Sequence, residues 1–243
     1  MIISIETSTS NLSFTLLNKE NVINNITVSF KDELSEIIVP TLKMFLKDNF
    51  ISFDDISFLA VGCGPGSFTG IRAIISTALG ITISKNHIKI IGINSLAGLA
   101  MSALDEAKKL KLKYIISSVD SKRDDLFLQL FKINNIDIKS FPFFTMGNIN
   151  TVKIEKLHNY FVSYNLLSKD VLFFGYQSSK AKKLIDNLNI SKNSTQHPDS
   201  LGVGKLASYL ISNKISINKT TYAFDKFKPI YARSAKINLK WLV

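Results

Sequence analysis

The sequence contains few of the residues that would indicate a disulfide scaffold, a zinc site or a fibrous repeat. Its 243 residues include one Cys, one Trp, 5 Pro and 11 Gly. A single thiol cannot form an intramolecular disulfide and supplies too few ligands for a structural zinc site. Folding must therefore depend on the hydrophobic residues, whose 46% share excludes a disordered chain. At roughly 100–200 residues per domain, we expect two small lobes rather than one large domain.

A hydrophobic run of membrane-spanning length is also missing. The most apolar stretch, 56–84, is interrupted by Arg72 and contains several glycines, whereas a transmembrane helix needs ~18 or more consecutive apolar residues. Met1 leads directly into Ile2-Ile3-Ser4-Ile5, without a basic segment or a cleavage site. We therefore expect a cytoplasmic protein that does not contact a membrane.

Acidic residues are outnumbered. The chain has 30 Lys and Arg against 19 Asp and Glu, which gives a net charge of +11. Such an excess permits attraction to nucleic acid or to an anionic surface, but only clustered charge makes a binding footprint. The lysines look scattered, so compositional drift and a working basic surface both stay open. The densest basic run is expected in the tail, at Lys226, Lys228, Arg233, Lys236 and Lys240.

The hydrophobic periodicity predicts alternating strands and helices in two parts. Strands are predicted over 2–6, 12–17, 22–30, 56–63, 88–93, 114–119, 126–133 and 171–174, and helices over 33–48, 70–84, 95–109, 152–158 and 201–213. Pro40 should bend or restart the first helix, and Ser95 should cap the third. Residues 141–144 read as a loop or a sheet edge. Because both parts begin with a hairpin, we expect two related lobes.

The strongest local signal is a glycine-rich segment, 62–72, between a predicted buried strand and an apolar helix. It reads Gly-Cys-Gly-Pro-Gly-Ser-Phe-Thr-Gly-Ile-Arg. It is not a Walker A loop, since no Lys follows Gly70. Thr69 breaks the G-x-G-x-x-G signature, and Pro65 and Thr69 break the G-x-S-x-G signature around Ser67. A structural turn that positions the helix is favoured. An anion site at the helix start remains an alternative, and Cys63 reads as a buried, inert thiol.

A second signal is the acid that ends the first strand, Glu6, followed by the hydroxyls of Thr7 and Ser8. Such a turn can cradle phosphates while the acid orients a hydrated metal. With Asp120 of the hairpin 120–125, these residues are candidate nucleotide-binding residues. Neither turn contains glycine, which argues against phosphoryl transfer. The three histidines are isolated in sequence, so no metal site is expected.

The element order and four segments together resemble the TsaB (YeaZ) family. The segments are 5–8, 64–72, 120–125 and 229–233. The resemblance implies an α/β protein with a two-lobed actin-like ATPase (ASKHA, ribonuclease H-like) fold, in which helices flank mixed sheets. We accordingly expect an N-terminal lobe over 1–108, to which 214–243 returns, and a C-terminal lobe over 109–213.

The resemblance also implies a function. The protein would be a non-catalytic subunit that dimerises with TsaD and activates threonylcarbamoyl transfer to N6 of adenosine 37 in ANN-decoding tRNAs. TsaE would be a further partner, tRNA would bind through the complex, and a homodimer would form when TsaD is absent. No intrinsic cofactor, metal or catalytic residue is implied, although ATP or ADP is expected at the interface of the assembled complex. The alternative is an actin-fold ATP-dependent phosphotransferase acting on a small metabolite, with Glu6 and Asp120 orienting its metal.

Family members pair through first-lobe helices, which correspond here to 35–48 and 70–84. The residues expected at this interface are Ser35, Pro40, Gly66, Ser67, Phe68, Thr69, Gly70, Ile71, Arg72, Ile74, Ile75 and Ala78. We expect the glycine-rich turn to position the second helix. The apolar side chains from Ile71 to Ala78 should supply the buried contact, and Arg72 a polar contact at the rim.

Overall fold

Two β-sheets, one from each half of the chain, form the framework of the protein. The computed structural model describes residues 1–30, 33–134, 141–193, 196–215, 223–224 and 228–232. The first sheet contains β1 (Ile2–Glu6), β2 (Asn11–Asn18), β3 (Asn21–Ser29), β4 (Phe58–Gly62), β5 (Lys89–Ile93) and β12 (Ala223–Phe224). The second contains β6 (Tyr114–Asp120), β7 (Leu126–Ile133), β8 (Phe143–Thr145), β9 (Asn150–Val152), β10 (Val171–Gly175) and β11 (Asn189–Ile190).

The two sheets share a pattern of strand pairing. In the first, the order is β12-β5-β4-β1-β2-β3, with β1 antiparallel to β2 and parallel to β4. In the second, β6 is likewise antiparallel to β7 and parallel to β10. Every residue of β1 is buried, because helices cover both faces of its sheet. Each lobe thus begins with a hairpin, as the element order predicts.

Six α-helices cover these sheets in the described residues. They are α1 (Leu34–Asp48), α2 (Phe68–Ser84), α3 (Ser95–Lys109), α4 (Leu157–Ser163), α5 (Ser178–Leu184) and α6 (Ser200–Ser212). The side chains of α1 and α2 share a core with the outer face of the first sheet, and those of α4 and α5 with the outer face of the second. Pro40 lies inside α1 on its exposed side. No helix among the described residues is both long and apolar enough to cross a bilayer.

Helices α3 and α6 pack against each other between the two sheets, and their side chains join both lobes in one core. The start of α6 is hydrogen-bonded to the first sheet. Ser4 Oγ donates to Ser200 O at 2.7 Å, and Ser200 N donates to Ser13 Oγ at 2.8 Å. The predicted lobe boundary at residue 213 stays a prediction, and α6, which precedes it, already contacts the first sheet. Of the expected returning segment 214–243, only 214–215, 223–224 and 228–232 are described.

Short elements account for most differences from the predicted pattern. Asn94, not Ser95, caps α3, since its side chain accepts a hydrogen bond from Leu96 N at 2.9 Å. The helix predicted over 152–158 begins two residues later as a 3-10 turn and continues as α4. The edge strand β8 occupies the segment read as a loop or an edge. Helix α5 and the two-residue strands β11 and β12 are too short for a hydrophobic period to reveal them.

Candidate functional site

The carboxylate of Glu6 is buried at the centre of a hydrogen-bond network that joins β1, α3 and the glycine-rich turn. Its Oε1 accepts from Ser8 N, and its Oε2 accepts from Ser95 Oγ, both at 2.6 Å. Ser95 Oγ also accepts from Gly64 N at 3.1 Å, and Ser95 N donates to Gly64 O at 2.8 Å. Burial raises the pKa of Glu6 above its usual value, against the opposing effect of these hydrogen bonds. Glu6 therefore holds backbone segments together and is not open to a ligand.

The glycine-rich turn lies directly on the turn that follows β1. Ser67 N donates to Ser8 O at 2.7 Å, and Ser67 Oγ caps α2 by accepting from Gly70 N at 3.3 Å. A Cβ atom on Gly66 would overlap the Ser8 carbonyl, and one on Gly70 would overlap the Thr7 carbonyl. Only glycine permits this approach. Each turn fills the space in which the other would hold an anion, so the structural interpretation of both motifs is favoured.

Asp120 lies elsewhere, in a cleft of about 170 Å³ between the lobes. Its carboxylate accepts from Lys122 N at 2.8 Å and pairs with Lys122 Nζ at 3.4 Å. The cleft is lined by Thr9, Ser10, Asn11, Val119, Asp120, Lys122, Tyr176, Gln196, His197 and Pro198. Sites for drug-sized ligands usually measure roughly 300–1,000 Å³. The candidate residues Glu6, Thr7 and Ser8 do not line this cleft.

The residues present therefore do not fit a nucleotide with its metal in the cleft between the lobes. The predicted pair of acids, Glu6 and Asp120, is not brought together around one cavity. Among the described residues, no group of three or more His, Cys, Asp or Glu side chains could hold a metal ion. The thiol of Cys63 is buried beside this network. Burial and the neighbouring Glu6 charge raise its pKa to about 12, so it is inert at neutral pH.

Four of the expected interface residues on α2 belong to the core of this chain. Ile71, Ile74, Ile75 and Ala78 are at most 6% exposed and pack with α1 and the first sheet. Their spacing of i, i+3, i+4 and i+7 is the stripe that one helix needs to cover a sheet. The expectation that these four contact a partner is therefore corrected, because they have no free surface to offer.

Exposed residues of α1 and α2 form a separate set, here called the α1–α2 face. It comprises Ser35, Val39, Pro40 and Met44 of α1, and Phe68, Thr69, Arg72, Leu79 and Ile83 of α2. Ile83 is 85% exposed and Met44 is 56% exposed. The two helices pack against each other. Phe68, Arg72, Leu79 and Ile83 follow one exposed stripe of α2, and such a stripe of apolar side chains indicates an interaction site.

An aromatic contact links the N-terminal end of this face to the last described segment, 228–232. The rings of Phe68 and Tyr231 have centroids 5.6 Å apart, and Arg72 Cζ lies 4.5 Å from the Phe68 centroid. Ile230 N donates to Cys63 O at 2.8 Å, which fixes the segment against the glycine-rich turn. Both motifs are recognisable in the sequence, but their contact is not, since over 150 positions separate them and neither carries a local signal for the other. Arg233 lies outside the described residues.

Comparisons with known proteins agree with this architecture. A family model described as "TsaD: tRNA N6-adenosine threonylcarbamoyltransferase" matches residues 21–241. The TsaB protein of Bacillus subtilis is 26% identical over 251 aligned residues, which cover 99% of this chain and 97% of the relative. The TsaB proteins of two Buchnera aphidicola strains are 33% and 30% identical, but the aligned segments span only 62% and 52% of those relatives. The solved structure of YeaZ from Pseudomonas aeruginosa superposes with a TM-score of 0.68 at 16% identity, over 87% of this chain and 92% of that one.

With two lobes of matching strand order joined by packed central helices, the protein is of the two-lobed actin-like class. A sequence-family model that covers nearly the whole chain places it more narrowly. The chain belongs to the TsaD family, and within it to the TsaB (YeaZ) group.

Proposed function

We propose that this protein takes part in the biosynthesis of threonylcarbamoyladenosine in tRNA as a non-catalytic subunit. It would dimerise with TsaD and activate transfer of the threonylcarbamoyl group to N6 of adenosine 37 in ANN-decoding tRNAs. Membership of the TsaB group supports the pathway. The observation that carries the non-catalytic role is the buried Glu6, whose carboxylate oxygens accept hydrogen bonds from Ser8 and Ser95.

The proposed contact with TsaD is the α1–α2 face. Its apolar side chains are exposed, whereas those of the same helices that cover the first sheet are already buried. In the absence of TsaD, the same face would pair two copies of this chain. TsaE and tRNA would engage the assembled complex. We assign no cofactor to this chain alone, and propose that any ATP or ADP binds at the interface of the complex.

The experiment is calorimetric titration of the chain with the TsaD homologue of the same organism. Ile83→Glu should weaken association at least about tenfold, because it would bury an unpaired charge in the interface. Ile83 is 85% exposed in the free chain, so the substitution leaves the fold intact.

Val162→Glu is the matched control. Val162 is an aliphatic residue of α4 that is 65% exposed and lies outside the α1–α2 face. The Val162→Glu variant should bind the TsaD homologue with the affinity of the wild type. Equal binding by the wild type and both variants would remove the α1–α2 face from the proposal.

A further inference from the structure

A run of exposed lysines lies at one end of the second sheet, around the C-terminal end of α3. Of the basic residues expected to form the densest run, in the tail, Lys226, Arg233, Lys236 and Lys240 lie outside the described residues. Within them, Lys108, Lys109, Lys111 and Lys113 form a denser run. We propose that this cluster, with Lys132 and Lys169, is a binding surface for the phosphate backbone of RNA. It is called the α3-end patch below.

The turn after α3 directs these lysines into solvent. Lys111 adopts a left-handed conformation with φ 55°, and its N–H donates to Lys108 O at 3.0 Å. Leu112 N donates to Ala107 O at 2.9 Å, and the Leu112 side chain is buried. Because a buried leucine anchors the turn, the flanking lysines point outward, and each of them is exposed.

Strand pairing brings two further lysines to the same end of the sheet. Lys113 N donates to Asp170 O, and Ile133 N donates to Lys113 O, both at 2.9 Å. Lys169 and Lys132 are the immediate neighbours of these two partners in sequence. Lys169, in a short 3-10 turn, and Lys132, on β7, are both exposed at this end of the sheet. Lys132 pairs with Tyr114, so its side chain projects from the other face of the sheet than Lys113.

Most of the charge of the patch is unpaired within the described part of the chain. Lys113 pairs with Asp170 at 2.8 Å, whereas the other five lysines form no ion pair there. Glu106 is engaged by Lys192 N at 3.0 Å and by Ser191 Oγ, and Asp105 lies a turn earlier on α3. Lysines in the last helical turn are ordinary complements of the helix dipole. That explanation covers Lys108 and Lys109 but not the lysines beyond the helix.

The composition of the patch favours a nucleic acid over a protein. Protein interfaces concentrate apolar and aromatic side chains and are depleted in Lys, whereas nucleic-acid interfaces are polar and strongly positive. Leu110 is 51% exposed among these lysines. The choice of RNA rests on the proposed function. The patch belongs to the end of the second sheet, whereas α1 and α2 cover the outer face of the first, so RNA and a partner subunit would not compete.

The test measures binding of a labelled tRNA transcript to the full chain alone over a range of salt concentrations. The patch variant carries Lys→Gln at 108, 109, 111 and 169 and leaves the Lys113–Asp170 ion pair in place. The control variant carries Lys→Gln at 153, 156, 182 and 183, exposed positions on or beside α4 and α5 that form no ion pair within the described residues. Both variants lose the same charge, and thermal unfolding checks that both remain folded.

We expect the patch variant to bind at least about tenfold more weakly near 0.1 M salt, with a salt slope reduced by about 3, since each lost phosphate contact lowers the slope by ~0.7–0.9. The control variant should stay within about twofold of the wild type. Equal losses in both variants, or no binding of tRNA by the wild type at low salt, would overturn the proposal. So would equally tight, equally patch-dependent binding of polyglutamate or phosphatidylserine vesicles. No partner subunit is present, so a failure of the α1–α2 face does not affect this result.

Discussion

At the scale of the residue, Glu6 shows how one acid can serve structure in place of chemistry. A buried carboxylate is costly unless hydrogen bonds satisfy it. Glu6 meets that requirement through Ser8, two positions away, and Ser95, far along the chain. The sequence revealed an acid at a strand end followed by hydroxyls. It could not reveal Ser95 as a partner, because that contact exists only when α3 begins beside β4.

Removing the Glu6 carboxylate should destabilise the fold. Glu6→Ala leaves Ser8 N and Ser95 Oγ without their acceptor, and each such group costs about 1–3 kcal/mol. We expect a loss of about 2–4 kcal/mol in the free energy of unfolding, measured in urea. Glu20→Ala removes an exposed carboxylate and should change stability by less than about 0.5 kcal/mol. A Glu6→Ala chain as stable as the wild type would contradict the structural role.

Glu6 should also make stability depend on pH. Its pKa is raised in the folded chain, so the folded state holds this proton more tightly than the unfolded state. The stability that protonated Glu6 adds to the fold is therefore complete below pH 4.5, and it is lost as the pH rises through the folded-state pKa. Glu6→Gln removes the titration. The stability of the wild type relative to Glu6→Gln should fall from pH 4.5 upward in urea unfolding, and parallel pH curves for the two chains would refute this.

At the scale of the element, α2 separates what a local pattern can predict from what it cannot. The apolar spacing from Ile71 to Ala78 placed the helix to within two residues of its start. The same pattern could not tell whether that stripe faced the chain's own sheet or a partner. The elements missed, such as α5 and β12, are short and are held by contacts distant in sequence.

Two glycine substitutions should have opposite effects on stability, because Gly66 lies against the turn after β1 and a Cβ atom on Gly80 would contact nothing. Gly66→Ala would force a Cβ into the Ser8 backbone and should cost about 1–3 kcal/mol. Gly80→Ala in the exposed middle of α2 meets nothing within 4 Å and should stabilise the chain by roughly 0.5–1 kcal/mol. Thermal unfolding of both variants measures the difference. Equal effects would mean that the turn does not depend on this close contact.

At the scale of the whole molecule, the two-lobed order was predictable because each lobe begins with a hairpin of regular hydrophobic pattern. The path that the chain takes between the lobes could not be predicted from the sequence. The return at α6 depends on Ser200 meeting Ser4 and Ser13 of the first sheet, and no local signal marks such a contact. The lysine run over 108–113 is visible in the sequence, but the contact between Lys113 and Asp170 that adds Lys169 to the α3-end patch is not.

We propose that this chain acts through a partner and performs no chemistry alone. The most direct measurement is the formation of threonylcarbamoyladenosine on a tRNA transcript by purified proteins supplied with threonylcarbamoyl-adenylate. The account predicts product when this chain and the TsaD homologue are combined, and none when this chain is supplied alone. It also predicts reduced product with Ile83→Glu and full product with Val162→Glu. Product formed by this chain alone, or a TsaD homologue equally active without it, would contradict the account.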